Sequence, residues 1–260
     1  MTEPEPEPEL VIEWTKQLGT AGYDYGNGIA TDSNNNVYIT GTTGGDLDGT
    51  NKGGNDVFVV KYDSSGIEAW RKQLGTSHME EAYDIATDSS NNVYITGYAM
   101  TNFAGTNQGA RDIIVVKFDS SGTESWRTVL GTSSNEYSYA IAIDSNDNVY
   151  ITGYTQGNLH GENQGGNDIF LVKFDSDGIE VWRKQLGTTS NDRSLGIATD
   201  SNNNVYITGY TGGDFDGTNL GSDDAFVVKF NSSGTEVWRK QFGTTSNDHI
   251  QSIAIDSNDN

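Results

Sequence analysis

The sequence predicts an all-β fold, a β-propeller built from 56-residue four-stranded antiparallel blades, and three observations predict it. The five tryptophans stand at Trp14, Trp70, Trp126, Trp182 and Trp238, each 56 residues after the one before. Each opens a near-copy of one unit with no insertion or deletion, as in WRKQLGTTSNDRSLGIATDSNNNVYITGYTGGDFDGTNLGSDDAFVVKFNSSGTEV from Trp182 to Val237, and self-similarity at such a period marks a repeat architecture. Within the unit the β-branched and aromatic runs are short and cut by Gly and Asn before a helix could propagate.

Four strands are read in each unit: a (SLGIATDS), b (NVYITGYT), c (DAFVVKF) and d (TEVWRKQLG). The a-to-b link, SNNN or SNDN, and the c-to-d link, DSSG, are short enough for hairpins. Gly66, Gly122, Gly178 and Gly234 supply the positive φ that the second turn needs. The b-to-c link is much longer. In strand c, Val57-Phe58-Val59-Val60 alternates on neither face, so both faces of the sheet are covered. A repeated antiparallel sheet buried on both sides is a propeller blade.

The unit's motifs, WxKQLGT, IATDSNNNVYITG and DxFVVKxDSSG, resemble the SBBP family of bacterial β-propeller repeats over Trp14 to Asn260. The resemblance implies the propeller fold. It implies no particular activity, because propellers host many unrelated functions.

Two regions follow: residues 1–13, a Pro/Glu-rich linker leading into a strand, and residues 14–260, the propeller repeats. LVIEWTKQLG at the N-terminal end reads as a lone d strand and HIQSIAIDSNDN at the C-terminal end as a lone a strand, leaving four complete blades and a partial one. A ring closed on these two strands would lack b and c, so the chain reads as a fragment of a larger propeller with apolar blade faces open to self-association.

With 37 acidic against 15 basic residues, a net charge of −22, nucleic acid is excluded as a partner on electrostatic grounds, and so are anionic lipid surfaces. There is no cysteine for a disulfide or a thiolate metal site, and no apolar stretch of membrane-spanning length. The segment MTEPEPEPEL has neither the basic nor the apolar part of a signal peptide, while its linker composition hints at an upstream domain or export signal; an extracellular or cell-surface setting is expected for the full-length protein.

Chemistry could sit on the face carrying the long b-to-c and d-to-a loops. One carboxylate recurs there at the start of strand a in all five copies: Asp24, Glu80, Glu136, Asp192 and Asp248. A second recurs where the b-to-c loop enters strand c: Asp56, Asp112, Asp168 and Asp224. Such oxygens suit a hard cation, calcium above all, but equally suit accepting backbone N–H bonds that fix the loops, with Lys61, Lys117, Lys173 and Lys229 as neutralising neighbours. Asp46 and Asp48 in the first b-to-c loop and Asp214 and Asp216 in the fourth extend the calcium candidates; Asn102 with Ala104, and Asn158 with His160, replace them in the middle copies. The a-to-b turns (Asp32-x-Asn34-x-Asn36 and its copies) lack the glycine and the distal acid of a calcium loop and read as Asx-rich hairpins.

Catalysis has little to build on. His78, His160 and His249 stand at three different repeat positions, and no nucleophile elbow occurs. Glu80 or Glu136 with Tyr83, Tyr137 or Tyr139 could serve a lyase or glycosidase, but a repeated arrangement argues against one differentiated site. The tryptophans and Tyr38, Tyr94, Tyr150 and Tyr206 read as blade packing, whereas Tyr23, Tyr25, Tyr83, Tyr137 and Tyr139, placed in or near the d-to-a loops, are the candidates for partner contacts. The function expected is a non-enzymatic binding or structural scaffold module of a larger, exported bacterial protein, acting on protein partners or in adhesion through the long-loop face. The alternatives are a carbohydrate-binding or carbohydrate-cleaving propeller and a calcium-stabilised repeat with no ligand of its own.

Overall fold

The structure, a computed structural model, describes residues 12–105 and 107–260; the Pro/Glu stretch of the expected linker lies outside the described residues up to residue 11. Its strands form four antiparallel sheets that follow one another along the chain. The first blade holds β1 (Asp24–Thr31), β2 (Val37–Thr43), β3 (Asp56–Tyr62) and β4 (Glu68–Leu74), and the second β5 (Glu80–Thr87), β6 (Val93–Ala99), β7 (Asp112–Phe118) and β8 (Glu124–Leu130). The third holds β9 (Glu136–Ile143), β10 (Val149–Thr155), β11 (Asp168–Phe174) and β12 (Glu180–Leu186), and the fourth β13 (Asp192–Thr199), β14 (Val205–Thr211), β15 (Asp224–Phe230) and β16 (Glu236–Phe242). Within every sheet spatial order equals sequence order, as hairpin-linked strands require. Strand β3 is buried along its whole length, as its unbroken apolar run predicts.

Adjacent blades pack through their inner strands, β1 on β5, β5 on β9 and β9 on β13, which therefore surround the axis. The recurring tryptophans join each blade to the next: Trp70, Trp126 and Trp182 donate Nε1–H to the carbonyls of Ser120, Ser176 and Ser232 in the following c-to-d hairpin, at 3.2, 3.2 and 3.3 Å. The same rings press on Gly122, Gly178 and Gly234, whose φ values of 83°, 82° and 78° confirm the left-handed turn. At the opposite edge, Ser33, Ser89 and Ser145 each donate to the Asn or Asp side chain at the tip of the next blade's a-to-b turn.

The two end segments correct the expectation of lone strands. Neither Ile12–Gly19 nor His249–Asn260 forms a ladder, because no b and c strands stand beside them to supply partners. Both nevertheless hold the places the repeat prescribes. Trp14 donates to Ser64 at 3.3 Å as its copies do, and Ser201 donates through its backbone to Asp259 at 2.9 Å. The sheets do not close into a ring. Ile29 on β1 is 68% exposed, whereas its copy Ile85 is 4% exposed against the preceding blade; Trp238 and Phe242 are 40% and 50% exposed at the far side.

One feature of the inner strands decides what faces the axis. Each carries a β-bulge: pairing with strand b skips Asn27, Tyr83, Tyr139 and Leu195 in the four blades. A bulge re-aims its extra side chain. Here the four line an axial cavity of about 320 Å³ together with Asp84, Ala140, Gly196 and Gln251. The bulge needs the glycine of the YITG motif. A Cβ on Gly41, Gly97, Gly153 or Gly209 would lie 1.8–1.9 Å from the carbonyl oxygen of Tyr25, Glu81, Tyr137 or Arg193 across the ladder.

Candidate functional site

The repeated loop carboxylates have hydrogen-bond partners in their own loops. Glu136 accepts from Thr132 N–H at 2.8 Å, from the Thr132 hydroxyl at 2.7 Å and from the Thr155 hydroxyl at 2.8 Å. Asp24, Glu80, Asp192 and Asp248 take the same backbone N–H, from Thr20, Thr76, Thr188 and Thr244, each at 2.6 Å. Burial pushes the carboxyls of Glu80, Glu136 and Asp192 above their ordinary range, against the pull of these hydrogen bonds. For Asp24 burial also pushes upward, but the bonds from Thr43 and Thr20 prevail and lower it.

Asp56, Asp168 and Asp224 accept from a loop N–H and from Gln73, Gln185 and Gln241, and Asp112 from the backbone of Gln108 and Gly109. Asp46 and Asp214 close their loops by accepting from Asn51 and Asn219 N–H at 2.8 Å, and the neutral Asn102 and Asn158 do the same in the middle blades at 2.8 and 2.9 Å. Asp48 lies exposed, and Asp216 stands 3.6 Å from the Lys240 ammonium. Among the described residues no three His, Cys, Asp or Glu side chains are grouped to hold a metal ion. The hydrogen bonds support the loop-fixing role.

The lysines of strand c go elsewhere than the loop carboxylates. Lys61, Lys117, Lys173 and Lys229 lie 3.3–3.8 Å from Asp32, Asp88, Asp144 and Asp200 in the a-to-b turns, at the other end of the blade. Each of those aspartates also accepts from a buried tyrosine hydroxyl, as Asp32 does from Tyr38 at 2.8 Å. The Asx-rich turns are thus closed hydrogen-bonded units, with Asn35 at φ 59°.

The predicted contact tyrosines separate into two groups. Tyr25, Tyr83, Tyr137 and Tyr139 stand on the inner strands rather than in the loops, and only Tyr23 precedes one. Tyr23 and Tyr25 are 79% and 57% exposed on the first blade. The other three converge at the long-loop end of the axis with tyrosines the sequence reading missed. Tyr83 meets Tyr139 at 5.0 Å between ring centroids, Tyr98 meets Tyr137 at 5.0 Å, and Tyr137 stacks on its ladder partner Tyr154 at 4.9 Å.

Arg111 lies over the rings of Tyr98 and Tyr137, and Arg193 over Tyr154. Tyr210 stacks on His249 at 4.0 Å, and Glu81 accepts from the Tyr83 hydroxyl at 2.8 Å. Below this cluster Asp84 accepts from Ile85 N–H and, across the blade junction, from Ile141 N–H, both at 2.9 Å. Burial raises its carboxyl to about 6.

A signal for this cluster was present in the sequence as departures from the repeat. The position of Tyr25 holds Glu81, Tyr137, Arg193 and His249 in the later copies, and that of Asn55 holds Arg111, Asn167 and Asp223. The bulge, invisible in the strand pattern, concealed that Asn27, Tyr83, Tyr139, Leu195 and Gln251, one repeat apart, line one cavity.

Comparison with known proteins agrees with this geometry. The model of the SBBP beta-propeller repeat matches residues 13–48, 69–104, 125–160 and 181–216. The chain belongs to this family. An uncharacterized WD repeat-containing protein of Acanthamoeba polyphaga mimivirus is 25% identical over 231 residues, 68% of the SBBP chain and 17% of the viral protein. The regulatory protein FlaEY of Caulobacter vibrioides is 25% identical over 166 residues, 57% of this chain and 17% of that protein. The chain thus spans about one sixth of the length of these curated relatives. The solved structure of a Bacteroides caccae protein of unknown function superposes with a TM-score of 0.50 at 13% identity, covering 88% of this chain and 72% of that one, a likeness of fold alone. No helix among the described residues is long and apolar enough to cross a membrane.

Proposed function

We propose that this SBBP propeller is a non-enzymatic binding module of a larger, exported bacterial protein, engaging its partner through the long-loop face and the mouth of the axial cavity. The observation that carries the reading is the distribution of differences among the copies. Carboxylates, threonines and glycines that shape the loops recur blade after blade, while the side chains at the axial mouth differ from blade to blade. A scaffold repeated for stability that varies where its inner strands open to solvent is built to present a specific surface.

An acid–base enzyme is less well supported. Glu80 and Glu136, the carboxyls considered for such a role, have their oxygens engaged by threonines of their own loops. Carbohydrate binding is the second reading, favoured by the convergence of Tyr83, Tyr137 and Tyr139.

The test is a panel of glycans and protein domains from the same cell envelope, assayed for binding by hydrogen exchange and for turnover by product analysis. Protection of amides around Thr132–Tyr139 and Thr188–Leu195 without turnover is the expected result. Product formation that disappears in Glu136→Gln would replace the binding reading with an enzymatic one.

A further inference from the structure

Because Asn27, Tyr83, Tyr139, Leu195 and Gln251 line a single axial cavity, five inner segments surround the axis. Four of them belong to complete blades. The fifth, within His249–Asn260, lies beside the fourth blade, and Ile12–Gly19 lies against the first blade at the place of an outer strand. Strands b and c of a fifth blade would stand between these two segments. Neither segment has a ladder partner, so each presents an unpaired backbone edge to that slot.

The complete blades define what such a slot requires. β2 and β3 both pack against β5, burying Ile85, whereas Ile29, its copy on β1, is exposed. Beside β1 a groove of about 200 Å³ is lined by Leu18, Tyr25, Ile39, Leu47 and Phe58. On the other side, Trp70 meets Phe118 of the next blade at 6.1 Å and donates to the Ser120 carbonyl. Trp238 has neither contact among the described residues, and Phe242 beside it is half exposed. In the a-to-b turns Asp32, Asp88, Asp144 and Asp200 each accept from a tyrosine hydroxyl of strand b and stand beside a lysine of strand c. Asp256, the fifth copy, has neither partner among the described residues and accepts only from Asn258 and Asn260.

We propose that the fifth blade is an acceptor for a β-hairpin supplied in trans by a partner polypeptide. The first strand of that hairpin carries a tyrosine and the second a lysine, both reaching Asp256. Apolar residues of the second strand cover Ile29, and its last residue is an aromatic that meets Trp238, followed by a turn whose carbonyl accepts from the indole N–H. Main-chain pairing with the two free edges supplies affinity, and the side chains supply specificity. A second copy cannot fill the slot, because every b and c strand of the chain is already paired on both sides within its own blade. The slot is a different surface from the long-loop face.

The experiment titrates the whole chain with a synthetic peptide of its own fourth b-to-c hairpin, Asn203–Gly234, followed by tryptophan fluorescence, melting and hydrogen exchange. One peptide should bind per chain, raise the melting midpoint, and slow exchange of the amides of Thr15–Leu18 and Gln251–Ile255 at least tenfold. Lys229→Glu in the peptide, which sets a carboxylate against Asp256, should weaken binding at least tenfold. Ile29→Asp in the chain should do the same, and His160→Gln in the third blade should leave binding intact. The same segment joined behind Asn260 through a flexible linker serves where the peptide is too poorly soluble to titrate. It should raise the midpoint, and its Lys229→Glu form should raise it less. No saturation at hundreds of micromolar together with no rise in the fused chain would overturn the acceptor slot, as would equal binding of a scrambled peptide or protection confined to the long-loop face.

Discussion

Asp84 gives the sharpest quantitative test of the axial architecture. It is the one acid at a position that holds Gly28, Ala140, Gly196 and Ser252 in the other copies, so Asp84→Ala places in the second blade what the third already tolerates. Burial raises its carboxyl from 3.8 to about 6 against the pull of two backbone N–H bonds. A raised folded-state value means that the fold favours the neutral form, so folding takes up a proton and stability from this group rises as pH falls through 6 toward 3.8.

The whole shift corresponds to about 3 kcal/mol, and the part between pH 8 and pH 5 to about 1 kcal/mol. The variant lacks this gain. Urea unfolding followed by tryptophan fluorescence at pH 8, 7, 6 and 5 should therefore show wild type gaining about 1 kcal/mol on Asp84→Ala across that range. The N–H groups of Ile85 and Ile141 left without their acceptor add a cost that does not depend on pH and cancels from the slope. A difference flat with pH, or growing in the variant's favour as pH falls, would refute the placement of an ionisable carboxyl in a poorly solvated axial cavity.

Three further outcomes follow from the same geometry. Gly97→Ala sets a Cβ 1.8 Å from the Glu81 carbonyl oxygen and should cost about 3 kcal/mol, whereas exposed Gly105→Ala, with φ 96° and nothing within 4 Å, should cost about 1 kcal/mol; equal losses in denaturation would remove the bulge from the explanation. Calcium at a hundredfold excess over a Kd would add about 2.7 kcal/mol, but with the loop carboxylates engaged by Thr, Gln and backbone donors, melting in EDTA and in millimolar calcium should coincide; a calcium-specific rise would make Asp24, Glu80, Glu136, Asp192 and Asp248 ligands. Light scattering should show association growing with concentration through Tyr25 and Ile29 on one open face and Trp238 and Phe242 on the other, and a monomer at high concentration would contradict this.

Much of the fold was legible because the repeat repeats its physics. A 56-residue period with apolar strand c and short Asn- or Gly-bearing hairpins has few ways to bury both sheet faces other than stacked blades. The loop carboxylates were legible as repeated positions, though which of two roles they play depended on whether Thr132 and its copies reached them. Their lysine neighbours were misread because Lys61 and Asp32, 29 residues apart, meet only when strand c folds back along strand b.

By itself, then, the chain determined its blades, their order and the residues that shape their loops, since these depend on local turn chemistry and on periodic burial that each copy states again. Only the tertiary structure decided which side chains meet at the axis. A single bulged residue per inner strand turns Tyr83 and Tyr139 inward, and blade-to-blade packing carries Arg111 onto Tyr137 and Arg193 onto Tyr154 of the third blade. Neither effect has a signature in strand alternation, because a bulge shifts the register by one residue and the axis joins residues roughly one or more repeats apart.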